Sequence, residues 1–536
     1  MDRRCFLRGT LGAVAAAWPA DVLAQQTARP ASGAWDPGRV RHLLPTAGDT
    51  RLLLKTSFTQ PLSGAPALRI NAAGGRAGAT GLTVQGRMND TGGECWQFYA
   101  AGLQPGTRYN LALITSSGTA LCEPWELSTF PAADARPDRF RLLFFTCAGG
   151  PESASLTAGN LPTAVRNRLL RRGLSFAPDA AIACGDHVYW DLHAPRAGAD
   201  GLYTARWKSF DRSAAPLGTS NEAVLKRAAA PQIVPVYGTD FRSTPIFFLQ
   251  DDHDYFDNDE GTDLIVTFPP PWFQLQLARS TQQLYYPEFL TDGTRPGLPW
   301  SSTSDRGELS ESFGTLRYGR LAEILLYDVR RTLTLAGPTA VFLDNEVEKW
   351  LVGRSAASDA AHVVHAPSNP VGWSAGKWGE WYPDGLGADG RLSAATAKPY
   401  WQPGWLAQHD RIVAAISAMK RGTRLMISGD LHAVAAGEIR RSGRLALDRT
   451  PITTVLSGPI GTGPGGWPSA FRGVAPGVPT HLDVVEAVKP IEQHGFTLLD
   501  FTLDRITVRL FKWDVKTMPV EAIDRLEPFY TTELGR

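Results

Sequence analysis

Four short apolar runs punctuate the chain between residues 139 and 430, and each stops abruptly at residues that ligate or ionise. Phe140 to Thr146 runs into Cys147 and two glycines. Pro178 to Cys184 runs into Gly185, Asp186, His187 and, two residues on, Tyr189. Thr244 to Gln250 runs into Asp251, Asp252, His253, Asp254 and Tyr255. Arg424 to Gly429 runs into Asp430 and His432. Runs of this length without alternation predict strands buried on both faces, as in a parallel sheet. Ligands of open α/β sheets bind beyond the carboxyl ends of such strands. Four ends carrying Cys, Asp, His and Tyr therefore point to one polynuclear metal centre on a sheet rim.

The remaining pattern divides the chain. From about Trp35 to Phe130 short alternating strands recur, at Arg51–Phe58, Gly81–Arg87, Cys95–Tyr99 and Arg108–Ile114, with a turn at Gln104–Thr107. This texture predicts an all-β sandwich over 35–130. The stretch Gly102–Tyr109 resembles the corner before a late strand of fibronectin type III domains, with Tyr109 packing there. Pro131–Pro137 reads as a linker, and 139–536 as the α/β part. Helical spacing predicts helices over Asn160–Arg172, Asp344–Leu351 and Pro403–Lys420, the last with Pro in its first turn. Ala361–Val364 reads as a strand and Phe496–Trp513 as two. Three polar, Gly- and Pro-rich stretches, 192–243, 256–312 and 366–402, read as long insertions rimming a cleft. Their Trp207, Trp272, Trp373, Trp378, Trp381 and Trp401 are candidate substrate contacts.

Composition narrows the class. The chain has 536 residues, 43% hydrophobic and 20% charged, which is ordinary for a globular protein. A formal net charge of +1 gives no field for nucleic acid or an anionic membrane. Arg3-Arg4 precedes Phe6-Leu7, an Ala-rich run from Leu11 to Trp18, and Val22-Leu23-Ala24 as a cleavage site. This predicts a twin-arginine export signal over 1–24, engagement of the twin-arginine machinery, and a periplasmic or secreted product. No later run reads as a transmembrane helix. Cys95 and Cys122 share one β-rich region and are candidates for a disulfide in an oxidising compartment. Cys184 reads as a small buried apolar residue.

Phosphate-ester hydrolysis at neutral pH needs an activated water and neutralisation of phosphoryl charge, and two metal ions supply both. Such a site needs a carboxylate between the ions, and Asp186 is the natural bridge. Cys147, the run Gly185–Tyr189, Asp251–Asp254, His365-Ala366-Pro367 and Gly429–His432 resemble, in that order, the motifs of the calcineurin-like metallophosphoesterases. They are most similar to the PhoD-like alkaline phosphatases and phosphodiesterases, with purple acid phosphatases next. The resemblance implies an αββα metallophosphoesterase sandwich behind a small fibronectin III/Ig-like domain. It also implies that Cys147, Asp186, Tyr189 and His432 hold Fe(III), a metal suited to thiolate and phenolate. Asp252 and Asp430 would hold a second, divalent ion, Ca by their oxygen donors. His365, if it joins them, favours Zn or Mn.

His253 resembles the histidine that protonates the leaving oxygen. Its acidic neighbours suit a general acid, with Asp254 orienting it. Asp251 reads as a strand-end cap. Arg330 and Arg331 resemble an Asp-x-Arg segment that approaches phosphate. Ser457–Gly466 is Gly-rich but lacks a following Gly-Lys-Ser/Thr, so it is not a nucleotide P-loop. His187 and His193 read as solvated loop histidines, and His42, His362, His409, His481 and His494 as structural or surface.

The expectation is thus a metal-held water or hydroxide attacking phosphorus in a small phosphate monoester or diester. A Zn-dependent hydrolase of another ester or amide, and a non-catalytic binding protein on the same fold, are the competing readings.

Overall fold

Three of the four motif-bearing runs lie side by side in one sheet of a computed structural model. This structure describes residues 34–74, 81–157, 159–190, 210–255, 269–291, 293, 295–296, 309–310, 312–463 and 467–536. The export signal over 1–24, His193 and Trp207 lie outside the described residues. The chain divides into Met1–Asp36 and Pro37–Arg536.

The strands Ile246–Leu249, Ala180–Cys184 and Arg139–Thr146 are parallel neighbours. His494–Thr502, Arg505–Trp513 and Tyr530–Gly535 continue the sheet antiparallel. A second, larger sheet holds Phe313–Tyr318, Ala322–Tyr327, His362–Pro367, Leu425–Ser428, Ile452–Leu456 and Val434–Ser442 in that order. From Ala322–Tyr327 through Ile452–Leu456 its strands are parallel. The two sheets meet. The Ser457 hydroxyl donates to the Phe144 carbonyl at 3.0 Å, and the Cys184 thiol reaches the Pro367 carbonyl at 3.6 Å. Ala180–Cys184, Ile246–Leu249 and Leu425–Ser428 carry almost no polar side chain and are buried throughout.

Helices cover the outer faces. Thr163–Leu174, expected over Asn160–Arg172, buries Val165, Leu169 and Leu170. Asn345–Ala357 starts where Asp344 accepts the backbone N–H of Glu346 at 2.8 Å, an ordinary N-cap. Pro403–Ser417 begins on its proline. The expected long insertions contain two further helices, Ser220–Tyr237 and Trp272–Tyr285. The first carries Pro231 and Pro235 internally, residues that argue against a helix in sequence alone.

Two four-stranded antiparallel sheets precede this body: Val40–Ala47, Leu52–Phe58, Cys95–Ala100 and Arg87–Met88, and Leu82–Gln85, Ala67–Ala72, Arg108–Ile114 and Trp125–Ser128. Tyr109 is buried, and its hydroxyl accepts the Gln104 backbone N–H at 2.7 Å, fixing the corner. Cys95 and Cys122 are both buried and are not joined, so the candidate disulfide is not formed. The first sheet is tied to the larger body through buried Lys55. Its ammonium donates to Gln97 and the Gln283 carbonyl and pairs with Glu288 at 2.9 Å.

Candidate metal centre

Each apolar strand must turn sharply to present its terminal side chain, and the backbone shows the cost. Among the described residues, six non-glycine residues have left-handed φ, and four of them are Cys147, Asp186, Asp430 and His432. Such conformations disfavour side-chain-bearing residues and gather at functional sites. The flanking glycines permit the approach. A Cβ on Gly185, at φ +74°, would lie 2.6 Å from the Asp251 Cβ, and one on Gly429 would lie 2.1 Å from the Thr146 hydroxyl.

The first group of ligating atoms centres on Asp186. Its Oδ2 accepts from the Cys147 thiol at 3.2 Å and the Tyr189 hydroxyl at 2.8 Å, and lies 4.0 Å from His432 Nε2. Tyr189 and His432 are themselves 3.3 Å apart. Thr462, from the Gly-rich loop, meets the Tyr189 hydroxyl at 2.9 Å. That loop also donates from Gly461 to the Cys147 carbonyl, so it packs on the site as a floor.

Asp186 also belongs to a group with Asp252 and His253, and Asp252 to a third with Asp251 and Asp430. The second group is linked to the first by Asp186, the expected bridge. Lys377 donates to Asp252 Oδ2 at 3.0 Å and Asp430 Oδ1 at 2.9 Å. Arg330 pairs with Asp251 at 2.6 Å and approaches Asp430 at 3.7 Å. All these side chains are buried.

Several expectations are corrected. His365 stands apart from the cluster, mid-strand. Ser355 meets its Nε2 at 2.9 Å and Tyr327 its Nδ1 at 3.2 Å, so both ring nitrogens are engaged as in a core histidine. Asp254, expected to orient His253, is engaged by the backbone instead. Its carboxylate accepts the backbone N–H groups of Asp186, His187, Val188 and Asp251, holding the turn that presents Asp186. Asp251 is an ion-pair partner rather than a cap. Arg331 is turned away from the cluster, bound to Tyr255 at 2.9 Å and Gln250 at 2.7 Å, with Tyr255 bonded on to Asp328. His187 is buried, with Nε2 2.7 Å from the Leu249 carbonyl, not solvated. Trp373, Trp378 and Trp381 are core residues, Trp401 is half-buried, and Trp272 is exposed on a helix.

Two participants had no signal in the sequence. Gln232, from the proline-bearing helix, accepts the Tyr189 and Gly150 backbone N–H groups. Lys377 sits in a Gly- and Trp-rich stretch with no periodicity and is the lysine that enters the cluster.

Electrostatics favour a cation here. Burial pushes the Asp186 carboxyl up to about 6, and the charge of Asp252 adds to this. Burial, reinforced by Asp186, pushes the Cys147 thiol and the Tyr189 phenol well above their ordinary values. Burial pulls the His432 imidazole down to about 3, the neutral form a metal takes. Burial also pushes Asp252 up, but Lys377, His253 and Arg330 outweigh it and hold Asp252 below the usual carboxylate range. Asp186 Oδ1 and Asp252 Oδ1 are buried with no hydrogen-bond partner. Buried anionic oxygens are paired or coordinate metals. The donor set of Cys147, Asp186, Tyr189 and His432 therefore fits a transition-metal ion.

No family model matches the chain, and no curated protein matches it. Among solved structures it is similar to one described as PhoD, with a TM-score of 0.58 at 14% identity, covering 94% of this chain and 91% of that one. It is also similar to a purple acid phosphatase, PPD1, from yellow lupin (Lupinus luteus) seeds, with a TM-score of 0.55 at 10% identity, covering 94% and 75%. The chain thus has a metallophosphoesterase-like α/β fold.

Proposed function

We propose that this protein is an exported, metal-dependent phosphoesterase acting on small phosphate monoesters or diesters. The observation that carries the reading is the sharing of Asp186 between two groups of buried ligating atoms at the ends of parallel strands. Cys147, Asp186, Tyr189 and His432 would hold the first ion, with Fe(III) suited to thiolate and phenolate. Asp252 and Asp430, with Asp251 beside them, form the second position, whose oxygen donors suit a hard divalent ion. Bound metal supplies an activated water and neutralises phosphoryl charge.

The chain's own groups do the rest. Asp254 and Gln232 lock the loop from Asp186 to Tyr189, so the bridging carboxylate does not swing. His253 lies within the Asp186–Asp252 group, its ring 4.2 Å from that of Tyr189, and donates the proton to the leaving oxygen. Arg330, anchored by Asp251 and the Gly379 carbonyl, lends positive charge where the phosphoryl oxygens gather. The purple acid phosphatase likeness and the PhoD likeness support this chemistry at the level of fold.

Export through the twin-arginine route belongs to the same proposal, resting on Arg3, Arg4 and the Ala24 cleavage site. The direct test is hydrolysis of a nitrophenyl phosphate monoester and diester before and after chelation. Turnover lost on chelation and restored by metal supports the proposal. Metal-loaded protein inert on both esters sinks it. Replacing Arg3 and Arg4 by lysine should retain the protein in the cytoplasm.

A further inference from the structure

The second position differs from the first in holding a protein cation. Lys377 is 1% exposed at its side chain, and its ammonium bonds one oxygen each of Asp252 and Asp430. A hard divalent ion bound by those carboxylates would sit at about 2.0–2.6 Å from their oxygens. An ammonium at 2.9–3.0 Å from the same two oxygens takes the same space.

Lys377 is not a surface lysine that has strayed inward. Its loop is built from both sides. The Glu380 carboxylate accepts the Ala375 backbone N–H at 2.7 Å, bonds Ser374, and pairs with buried Lys398 at 3.1 Å. Ser374 bridges to Gly477 through paired backbone bonds. Trp378, the next residue, is buried against Trp405 and Tyr400. The arrangement delivers one ammonium to one place.

Charge balance agrees. Four carboxylates, Asp186, Asp251, Asp252 and Asp430, are buried together with the two cations Lys377 and Arg330. Both cations face the Asp251–Asp252–Asp430 end, so two of its three carboxylates are already countered, while Asp186 faces a thiol, a phenol and an imidazole.

We propose that Lys377 is the resident cation of the second position and competes there with a divalent ion, so that the protein holds one metal tightly and a second only when the ammonium is displaced. The inference rests on reading the cluster as a metal centre and refines its occupancy.

The test compares exported wild-type protein with Lys377→Met, both purified without chelator. Metal content is measured by elemental analysis, and calcium or manganese is then titrated by calorimetry. The expected result is about one ion per wild-type chain. The variant should show a further divalent site, tighter by about tenfold or more, equivalent to about 1.4 kcal/mol. Lys377→Gln serves if the methionine variant does not fold, and the wild-type stoichiometry stands without either. Two tightly held ions per wild-type chain, or an unchanged divalent affinity in the variant, would overturn the inference while leaving the phosphoesterase proposal intact. No bound ion in any of the proteins would overturn both.

Discussion

The two ends of the buried cluster are made from the same kind of strand terminus yet are balanced differently. At one end Cys147, Tyr189 and His432 surround Asp186, and burial keeps the thiol and phenol protonated. At the other, Lys377 and Arg330 are paired with Asp251, Asp252 and Asp430, two cations against three carboxylates. The first end is matched to an ion, because coordination would displace the thiol and phenol protons to solvent and leave thiolate and phenolate ligands. The second already holds two protein cations, although Asp252 Oδ1 and Asp430 Oδ2 make no hydrogen bond. A buried polar cluster can thus be half structure and half reactive centre, and ligand-type residues alone do not separate the two.

The sharpest way to break this comparison is Asp186→Asn, which removes the carboxylate common to both ends. Metal content and phosphate-ester turnover should fall together to background, and an active, fully metallated variant would refute the bridging role. Next comes His253→Ala. Loss of a general acid should lower kcat by about 10²–10⁴ while the metal stays bound. A parallel loss of metal would make His253 a ligand instead.

Asp254→Ala tests the support beneath Asp186. It strands backbone N–H groups that now donate to one carboxylate, and should cost about 3 kcal/mol in urea unfolding with an unchanged m-value. A shift no larger than a surface substitution gives would contradict the locking role.

The smallest effect belongs to His365, outside the cluster. Burial pulls its pKa down to about 3 from 6.5. Below 6.5 the unfolded chain takes a proton that the folded one refuses. This residue therefore makes the protein less stable as pH falls, until the folded value near 3 is reached. His365→Gln should leave turnover unchanged and flatten the stability loss by up to about 1.4 kcal/mol per pH unit between about pH 6 and pH 4. A changed metal content would restore His365 as a ligand.

The sequence made the four strand ends legible because an apolar run that stops at Asp, Cys or His leaves a local mark, and Cys147, Asp186, Asp252, Asp430 and His432 were found this way. Residues acting from a distance left no such mark. Asp254 looked like a partner of His253 because it follows it, but the chain turns in the short 3-10 helix Asp252–Tyr255 and aims it at the Asp186 loop. His365 precedes an Ala-Pro pair but lies inside its strand, and its side chain faces Ser355 and Tyr327. The helix Ser220–Tyr237 was hidden by its two prolines, and Gln232 with it. Lys377 was hidden because only tertiary packing around Glu380 brings it inward.

The most direct measurement of the central claim is the transition-metal content of the protein purified without chelator, beside Cys147→Ser prepared identically. The expected result is about one transition-metal ion per wild-type chain, as its thiolate, phenolate and imidazole donors imply, and a marked loss of it in the serine variant. Wild-type protein that carries no transition metal, even after reloading, would contradict the account.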